Sequence, residues 1–160
     1  MDVLWAPWRM AYVSGEQKRD GCLFCRALTA GDDEKHWILT RTPSTFLMLN
    51  AFPYASGHLM AVVTRHVASL QDLNDEEGLD LLRLSRRALQ ALQTVYRPDG
   101  VNLGVNIGRV AGAGVEGHLH LHIVPRWAGD TNFMAVVGAV RVMPESLDET
   151  FRRLRPHLGP

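Results

Sequence analysis

Three histidines recur at every second position near residue 120. The run reads Gly117-His118-Leu119-His120-Leu121-His122-Ile123-Val124. Because strand side chains alternate between faces, the three imidazoles share one face, about 6.8 Å apart, and the apolar residues share the other. Imidazole binds metals and acts as a nucleophile or acid–base group near neutral pH. The pattern predicts a metal or catalytic site, and a solvated polar strand face is the alternative.

The two cysteines of the chain form a single Cys-x-x-Cys motif at Cys22 and Cys25. This spacing supplies half of a tetrahedral zinc site, and any of the seven histidines could complete it. Redox use is disfavoured because no predicted strand leads into the pair, as a thioredoxin-like unit requires. A buried, inert pair remains the other alternative.

A glycine-rich stretch separates Asn106 from the histidine run. It contains glycines at 108, 112, 114 and 117. Glycine lets backbone N–H groups approach an anion closely, as phosphate-binding loops do. We therefore predict phosphate binding at this stretch, with a flexible hairpin loop as the alternative.

Composition restricts the classes of protein that need to be considered. The chain has 160 residues, 17 basic against 17 acidic, and 46% apolar residues. This length suits a single domain over residues 1–160, with residues 1–21 as an irregular arm. Neutral charge disfavours a nucleic-acid coat or a polybasic membrane binder. We expect no signal peptide and no membrane span, and a reducing, cytoplasmic location.

The periodicity predicts an α+β fold with an antiparallel sheet, because strands both precede and follow one long helix. That helix begins at Asn74 with a capping box to Glu77, and it ends before Pro98. Its apolar stripe includes Leu81, Leu82, Ser85, Ala88, Leu89, Leu92, Val95 and Tyr96. The predicted strands are 37–40, 46–49, 58–64, 101–106, 118–124 and 135–142, and a final helix spans 144–155.

The histidine run and the residues around it resemble the histidine-triad superfamily, in its fragile-histidine-triad-like branch. The triplet is followed by Pro125-Arg126, and the segment 46–64, FLMLNAFPYASGHLMAVVT, resembles the strand–turn–strand of that family. The resemblance runs from about residue 4 to residue 143. LWAPWRMAYV and HIVPRWAGDTNF are similar to bacterial members described as diadenosine tetraphosphate hydrolases or phosphorylases.

The resemblance implies a small histidine-triad fold of about five strands, usually dimeric, that acts on nucleotides at the α-phosphate. His120 would be the nucleophile and form a covalent nucleotide intermediate. His122 and His58 would contact phosphate and handle protons. The implied nucleotide-binding residues are Asn50, Asn106, Gly112, Gly114 and Arg126. For Arg126, an ordinary surface salt bridge is the alternative.

Relatives with a Cys-x-x-Cys imply a structural zinc held by Cys22, Cys25, His66 and His118. A divalent cation such as Mg²⁺ would accompany the polyphosphate substrate. The chain departs from many relatives because residues 112–117 lack the Gly-Gln-Ser/Thr segment that touches phosphate there. This departure puts the leaving-group preference in doubt. Glu116 would be either a proton donor or a solvated loop carboxylate.

The resemblance implies an enzyme that cleaves dinucleoside polyphosphates such as diadenosine tetraphosphate, and it leaves open whether water or phosphate is the acceptor. An adenosine phosphoramidate hydrolase is the alternative within the superfamily. A zinc-stabilised nucleotide-binding sensor without chemistry is the alternative from another class. Nucleic acid and membranes are not expected as partners.

Overall fold

A computed structural model describes residues 21–130 and 144–159 of the chain. The α-helices are α1 (Leu23–Thr29), α2 (Asp75–Tyr96) and α3 (Leu147–Leu154). The strands are β1 (Ile38–Arg41), β2 (Thr45–Leu49), β3 (Leu59–Val63), β4 (Gly100–Val105) and β5 (His120–Arg126). The predicted strand at 135–142 and residues 1–20 of the predicted arm lie outside the described residues.

Within the described residues the strands form one antiparallel sheet in the order β1-β2-β3-β5-β4. This confirms the predicted α+β class. Strand β5, the last in sequence among the described strands, lies between β3 and β4. Its register places His120 opposite Val62 and His122 opposite both Met60 on β3 and Gly104 on β4. The histidine strand is therefore internal to the sheet.

The two faces of the sheet carry different cores. The main cluster packs α2 and α3 against one face, with Leu84, Leu92 and Leu154 fully buried there. The second cluster lies on the other face under α1; its members are Phe24, Ala27, Ile38, Phe46, Met48, Met60 and Val62. The short helix α1 thus covers the sheet face opposite the long helix.

The long helix begins as predicted. The Asn74 side chain accepts a hydrogen bond from the Glu77 N–H at 2.8 Å, and the Glu77 carboxylate accepts one from the Asn74 N–H at 3.0 Å. The helix ends at Tyr96, and its C-cap Arg97 adopts φ 46° before Pro98. The predicted stripe was wrong at Leu82, which is 64% exposed, because the buried face turns through Leu84 instead.

Several predicted boundaries differ from the structure. Helix α1 was not predicted at all, and α3 begins at Leu147, after the Ser146 cap, and not at 144. Strand β5 begins two residues later than predicted, because His118 lies before the strand and its side chain joins a cluster with the cysteines. The strand then continues through Pro125 and Arg126.

No helix among the described residues is both long enough and apolar enough to cross a membrane. That residues 1–160 form a single domain stays a prediction.

Candidate functional site

Strand alternation divides the histidine run between the two cores, as predicted. Leu119 and Ile123 are buried in the main cluster, and Leu121 packs against it. The His120 ring lies on the opposite face, 4.9 Å from the Phe24 ring and 4.9 Å from the His122 ring, centroid to centroid. One side of the run therefore anchors the strand while the other presents imidazoles.

His120 is held as a neutral imidazole with one defined tautomer. Its Nδ1 lies 2.8 Å from the carbonyl oxygen of His118, which can only accept, so Nδ1 carries the hydrogen. The residue is 5% exposed, and burial lowers the pKa of its imidazole below the usual value. The remaining nitrogen, Nε2, keeps its lone pair, which is the form that a nucleophilic histidine requires.

His58 and His122 form a hydrogen-bonded pair beside it. The Tyr54 N–H donates to His58 Nδ1 at 3.0 Å, so the hydrogen of the neutral His58 ring is on Nε2. His58 Nε2 lies 3.0 Å from His122 Nδ1 and donates to it. In this arrangement the hydrogen of His122 is on Nε2, and His122 is a donor at that atom. The Tyr54 ring packs on His58 at 4.6 Å.

Asn50 lies next to His58, at the end of β2. Its backbone N–H donates to the His58 carbonyl at 3.1 Å, and its Oδ1 accepts from the Phe52 N–H at 2.9 Å. Its Nδ2 is 3.4 Å from His58 Nδ1. Gly57 closes this connection with φ 76°, and a Cβ there would come within 3.0 Å of Leu92. The turn thus needs glycine both for its backbone conformation and for packing on α2.

The glycine-rich segment folds into a short 3-10 turn, Arg109–Ala111, followed by Gly112 at φ 90°. The Asn106 amide donates to the Gly112 carbonyl at 3.5 Å, and Gly114 is exposed. Glu116 accepts a hydrogen bond from Arg109 at 2.9 Å, and the two side chains are 43% and 87% exposed, respectively. This pairing favours the interpretation of Glu116 as a solvated loop carboxylate.

Arg126 lies at the far end of β5 and is already paired. Its guanidinium makes two hydrogen bonds to the Asp130 carboxylate, at 2.5 and 2.9 Å, and one to the Asn102 side chain at 3.1 Å. Six strand positions separate it from His120, about 20 Å at a rise of ~3.3 Å per residue. The structure does not bring Arg126 next to His58, His120 and His122, and its nucleotide contact stays a prediction.

Four side chains from distant parts of the chain form a cluster with the donor set of a structural zinc site. Cys22, Cys25, His66 and His118 place one ligand atom each within 4.8 Å of the others. Cys22 Sγ and Cys25 Sγ lie 3.3 and 3.5 Å from His118 Nδ1, and Cys25 Sγ lies 3.3 Å from His66 Nδ1. A tetrahedral zinc with bonds of ~2.3 Å to sulfur and ~2.05 Å to nitrogen separates such atoms by about 3.6 Å.

The hydrogen bonding and burial around the cluster are also suited to metal binding, in addition to its donor atoms. His118 is fully buried, and its Nε2–H donates to the Val63 carbonyl at 2.6 Å, so Nδ1 keeps a lone pair toward the cysteines. Burial also lowers the pKa of this imidazole, which favours the neutral ligand form. Burial raises the pKa of the Cys25 thiol, so metal binding would displace its proton. A Cβ at Gly117 would crowd His66 Nε2 at 3.3 Å.

Sequence reasoning missed two aromatic residues beside the histidines. Phe24 lies between the cysteines and contacts the rings of His118 and His120, and Tyr54 contacts His58 and His122. The only indication of Phe24 was its place inside the Cys-x-x-Cys motif. Nothing in the spacing indicates which imidazole its ring would meet.

Comparisons with known proteins agree with this architecture. The HIT domain family matches residues 33–129. A protein named AP-4-A phosphorylase from Mycobacterium tuberculosis is 37% identical, with the match covering 94% of this chain and 81% of that protein. The asymmetrical bis(5'-nucleosyl)-tetraphosphatase of Schizosaccharomyces pombe is 32% identical over 58% of this chain and 50% of its own length.

A solved structure is similar over most of the fold. It is a zinc-bound histidine triad family protein from Mycobacterium smegmatis, with a TM-score of 0.69 and 28% identity, covering 86% of this chain and 93% of that one. This structural similarity agrees with the family match and with the position of His120 and His122 on β5. The chain is a member of the HIT (histidine triad) family.

Proposed function

We propose that this protein is an enzyme that cleaves dinucleoside polyphosphates, such as diadenosine tetraphosphate, by nucleotidyl transfer through His120. The observation that carries the proposal is the hydrogen bond from His120 Nδ1 to the His118 carbonyl, which leaves Nε2 as a neutral nucleophile. The names of the relatives support the substrate class, since both the phosphorylase and the tetraphosphatase process dinucleoside polyphosphates.

In the first step, the Nε2 lone pair of His120 forms a bond to the α-phosphorus, and the bond from that phosphorus to the bridging oxygen breaks. The leaving group is ATP when the substrate is diadenosine tetraphosphate, and the enzyme retains AMP on His120. The His118 carbonyl, by accepting from Nδ1–H, stabilises the positive charge that develops on the imidazole. An acceptor then attacks the same phosphorus and restores the neutral ring, so that two easier steps replace one hard step.

The neighbouring residues fit supporting roles in this reaction. His122 would donate its Nε2–H to an α-phosphate oxygen or to the leaving oxygen, and His58 would hold His122 in that tautomer. Asn50 would bind the ribose, since an amide both donates and accepts. Asn106, Gly112 and Gly114 would bind phosphate through the glycine-rich segment, and Arg126 would bind a distal phosphate.

The acceptor decides which products are released, and product chromatography distinguishes the two possibilities. With water as the acceptor, diadenosine tetraphosphate yields AMP and ATP; with inorganic phosphate, it yields ADP and ATP. The identity to a phosphorylase over most of the chain favours the second outcome. We therefore expect ADP to appear only when phosphate is added.

The variant His120→Ala tests the nucleophile directly. We expect its turnover to fall by at least ~10³-fold, because the covalent route is lost. His157→Ala is the matched control, since His157 is an exposed histidine in the 3-10 turn after α3. Equal turnover of the His120 variant and wild type would contradict the proposal.

The same assay separates the two alternatives. An adenosine phosphoramidate hydrolase would cleave adenosine phosphoramidate faster than any dinucleoside polyphosphate. A nucleotide-binding sensor would bind nucleotide in calorimetry and turn over neither substrate. Nucleotide binding alone does not require a defined tautomer of His120. We favour the enzyme because the hydrogen bond from His120 Nδ1 to the His118 carbonyl sets that tautomer.

We propose that the cysteine–histidine cluster holds a structural zinc and that Mg²⁺ accompanies the polyphosphate substrate. A closed Cys₂His₂ site supplies folding free energy and leaves no position open for catalysis. Metal analysis of the purified protein should find about one zinc per chain. The zinc-bound M. smegmatis relative supports this expectation.

We also propose a homodimer in the cytoplasm. Among the described residues β4 ends the strand order, and Leu103 on it is 45% exposed, which supports a further surface contact at that edge. Both cysteines lie in the cluster of Cys22, Cys25, His66 and His118, called the metal-type cluster below. This use of the cysteines is consistent with a reducing compartment. Light scattering on the purified protein should give twice the chain mass, and a monomer would contradict the dimer.

A further inference from the structure

Phe24 is a buried aromatic residue to which the proposed function assigns no role. It is 1% exposed and lies on the first turn of α1. Its ring centroid is 5.3 Å from that of His118 at an interplanar angle of 67°, and 4.9 Å from that of His120 at 48°. One side chain therefore touches both the metal-type cluster and the proposed nucleophile.

The position of Phe24 depends on its neighbours in sequence. Helix α1 has seven residues, and its N-cap, Cys22, makes no side-chain capping hydrogen bond. A helix of this length is marginal without tertiary contacts. Cys22 and Cys25 bracket Phe24 within one turn, and both reach His118. Metal binding by these two sulfurs would therefore fix the ring between them.

His118 provides a second connection between the same two sites. Its Nδ1 faces the cysteines, while its backbone carbonyl accepts the hydrogen bond from His120 Nδ1. The acceptor that sets the tautomer of His120 thus belongs to a residue of the metal-type cluster. The Phe24 ring contacts the His120 imidazole from the side of α1.

We propose that Phe24 is a positioning residue. A metal that fixes helix α1 would also fix Phe24 on that helix, and Phe24 would in turn fix the orientation of His120. Its ring holds the His120 imidazole in the orientation in which Nδ1 reaches the His118 carbonyl and Nε2 faces the substrate. It also shields the ring from solvent on that side. This inference rests on the proposed role of His120 as nucleophile. A purely packing role for Phe24 would affect stability and leave His120 unchanged.

The test compares Phe24→Leu with Phe151→Leu. Phe151 is the matched control, because it is 5% exposed and packs in the main cluster on the opposite face of the sheet. For Phe24→Leu we expect kcat to fall about tenfold with KM unchanged, because small errors in nucleophile placement slow the chemical step. For Phe151→Leu we expect lower thermal stability with kcat unchanged.

A second measurement does not depend on turnover. Diethyl pyrocarbonate modifies accessible neutral imidazoles, and peptide mass spectrometry locates the modified residues. We expect His120 to react several times faster in Phe24→Leu and in chelator-treated wild type than in untreated wild type. The substitution and the chelator each remove support from one side of the His120 ring. Metal content should stay the same in Phe24→Leu and wild type.

Each result has one interpretation. Equal reactivity of His120 in Phe24→Leu and wild type would overturn the positioning role, whether or not the protein turns over any substrate. Unchanged reactivity after chelation would overturn the link to the metal. If Phe24→Leu does not fold, Phe24→Met is measured in its place, and the chelated wild type still decides the link. Faster modification of His120 without turnover in wild type would contradict only the proposed function.

Discussion

The chemistry of this site depends on where single hydrogens lie on neighbouring imidazoles. His118 carries its hydrogen on Nε2 because Val63 offers a carbonyl there, and this turns Nδ1 toward the cysteines. His120, two positions later, carries its hydrogen on Nδ1 because the His118 carbonyl accepts it. Two backbone carbonyls thus give opposite tautomers to two histidines of one run. The tautomer of His118 suits metal binding, and the tautomer of His120 suits attack on phosphorus.

At this scale we predict the effect of removing the partner of His122. His58→Ala should lower kcat about tenfold, because His122 loses the donor that sets its tautomer while His120, the proposed nucleophile, stays in place. Steady-state kinetics on diadenosine tetraphosphate measure the change, with His157→Ala as the control. An unchanged kcat with a raised KM would instead mean that His58 contributes only to binding.

An ion pair at the beginning of the long helix holds the loop that carries His66. Glu77 completes the capping box with Asn74 and also accepts two hydrogen bonds from Arg65, at 2.7 and 2.8 Å. Arg65 precedes His66, so the ion pair fixes the loop that brings this histidine to the cysteines. A local helix-start motif therefore also has a long-range function.

The ion pair predicts a dependence of stability on acid. Hydrogen bonding from Arg65, and then from the Asn74 backbone, lowers the pKa of Glu77 from 4.5 to about 2. Because the folded value lies below the unfolded one, the carboxylate contributes its full stabilisation above about pH 4.5 and loses it as the pH falls toward 2. Unfolding of Glu77→Gln by urea should therefore depend less on pH in this window than that of wild type.

The control for that measurement is Asp75→Asn, which removes an exposed carboxylate from the same helical turn. It should keep the wild-type slope of unfolding free energy against pH. If Glu77→Gln and wild type lose stability in parallel between pH 4.5 and 2, the pair has no role in acid stability.

The cluster at Cys22, Cys25, His66 and His118 joins three segments that are far apart in sequence: α1, the loop after β3 and the beginning of the histidine run. Cys22 and His118 are 96 positions apart in the chain, and Cys25 and His66 are 41 apart. A bound metal would therefore stabilise a long-range arrangement that short-range propensities do not specify. Its free energy of binding would be part of the free energy of folding.

Removal of the metal should accordingly lower Tm. For a metal present at a thousandfold excess over Kd the loss of unfolding free energy is roughly 4 kcal/mol, and at ~3 °C per kcal/mol for a chain of this size Tm falls by about 12 °C. Differential scanning calorimetry with and without a chelator measures it. Cys22→Ser should start at the lower Tm and not respond to the chelator. A chelator effect of equal size in Cys22→Ser would place the metal elsewhere.

Features that depend on neighbours along the chain could be predicted from the amino-acid sequence. The period of two in the histidine run separates the imidazoles from Leu119 and Ile123, and the Asn74–Glu77 spacing marks the beginning of α2. The ligand set of the metal-type cluster followed from resemblance, and the structure brings those residues together.

The folded arrangement was needed to identify the tautomers, the partner of Arg126 and the contact of Phe24 with two histidines. Helix α1 could not be predicted because it is short and lacks a side-chain cap, so its burial of Phe24 and Ala27 must hold it. All of these features have the same cause. Periodicity and capping are local, whereas a hydrogen-bond acceptor or a packed ring comes from whichever distant segment the fold brings alongside.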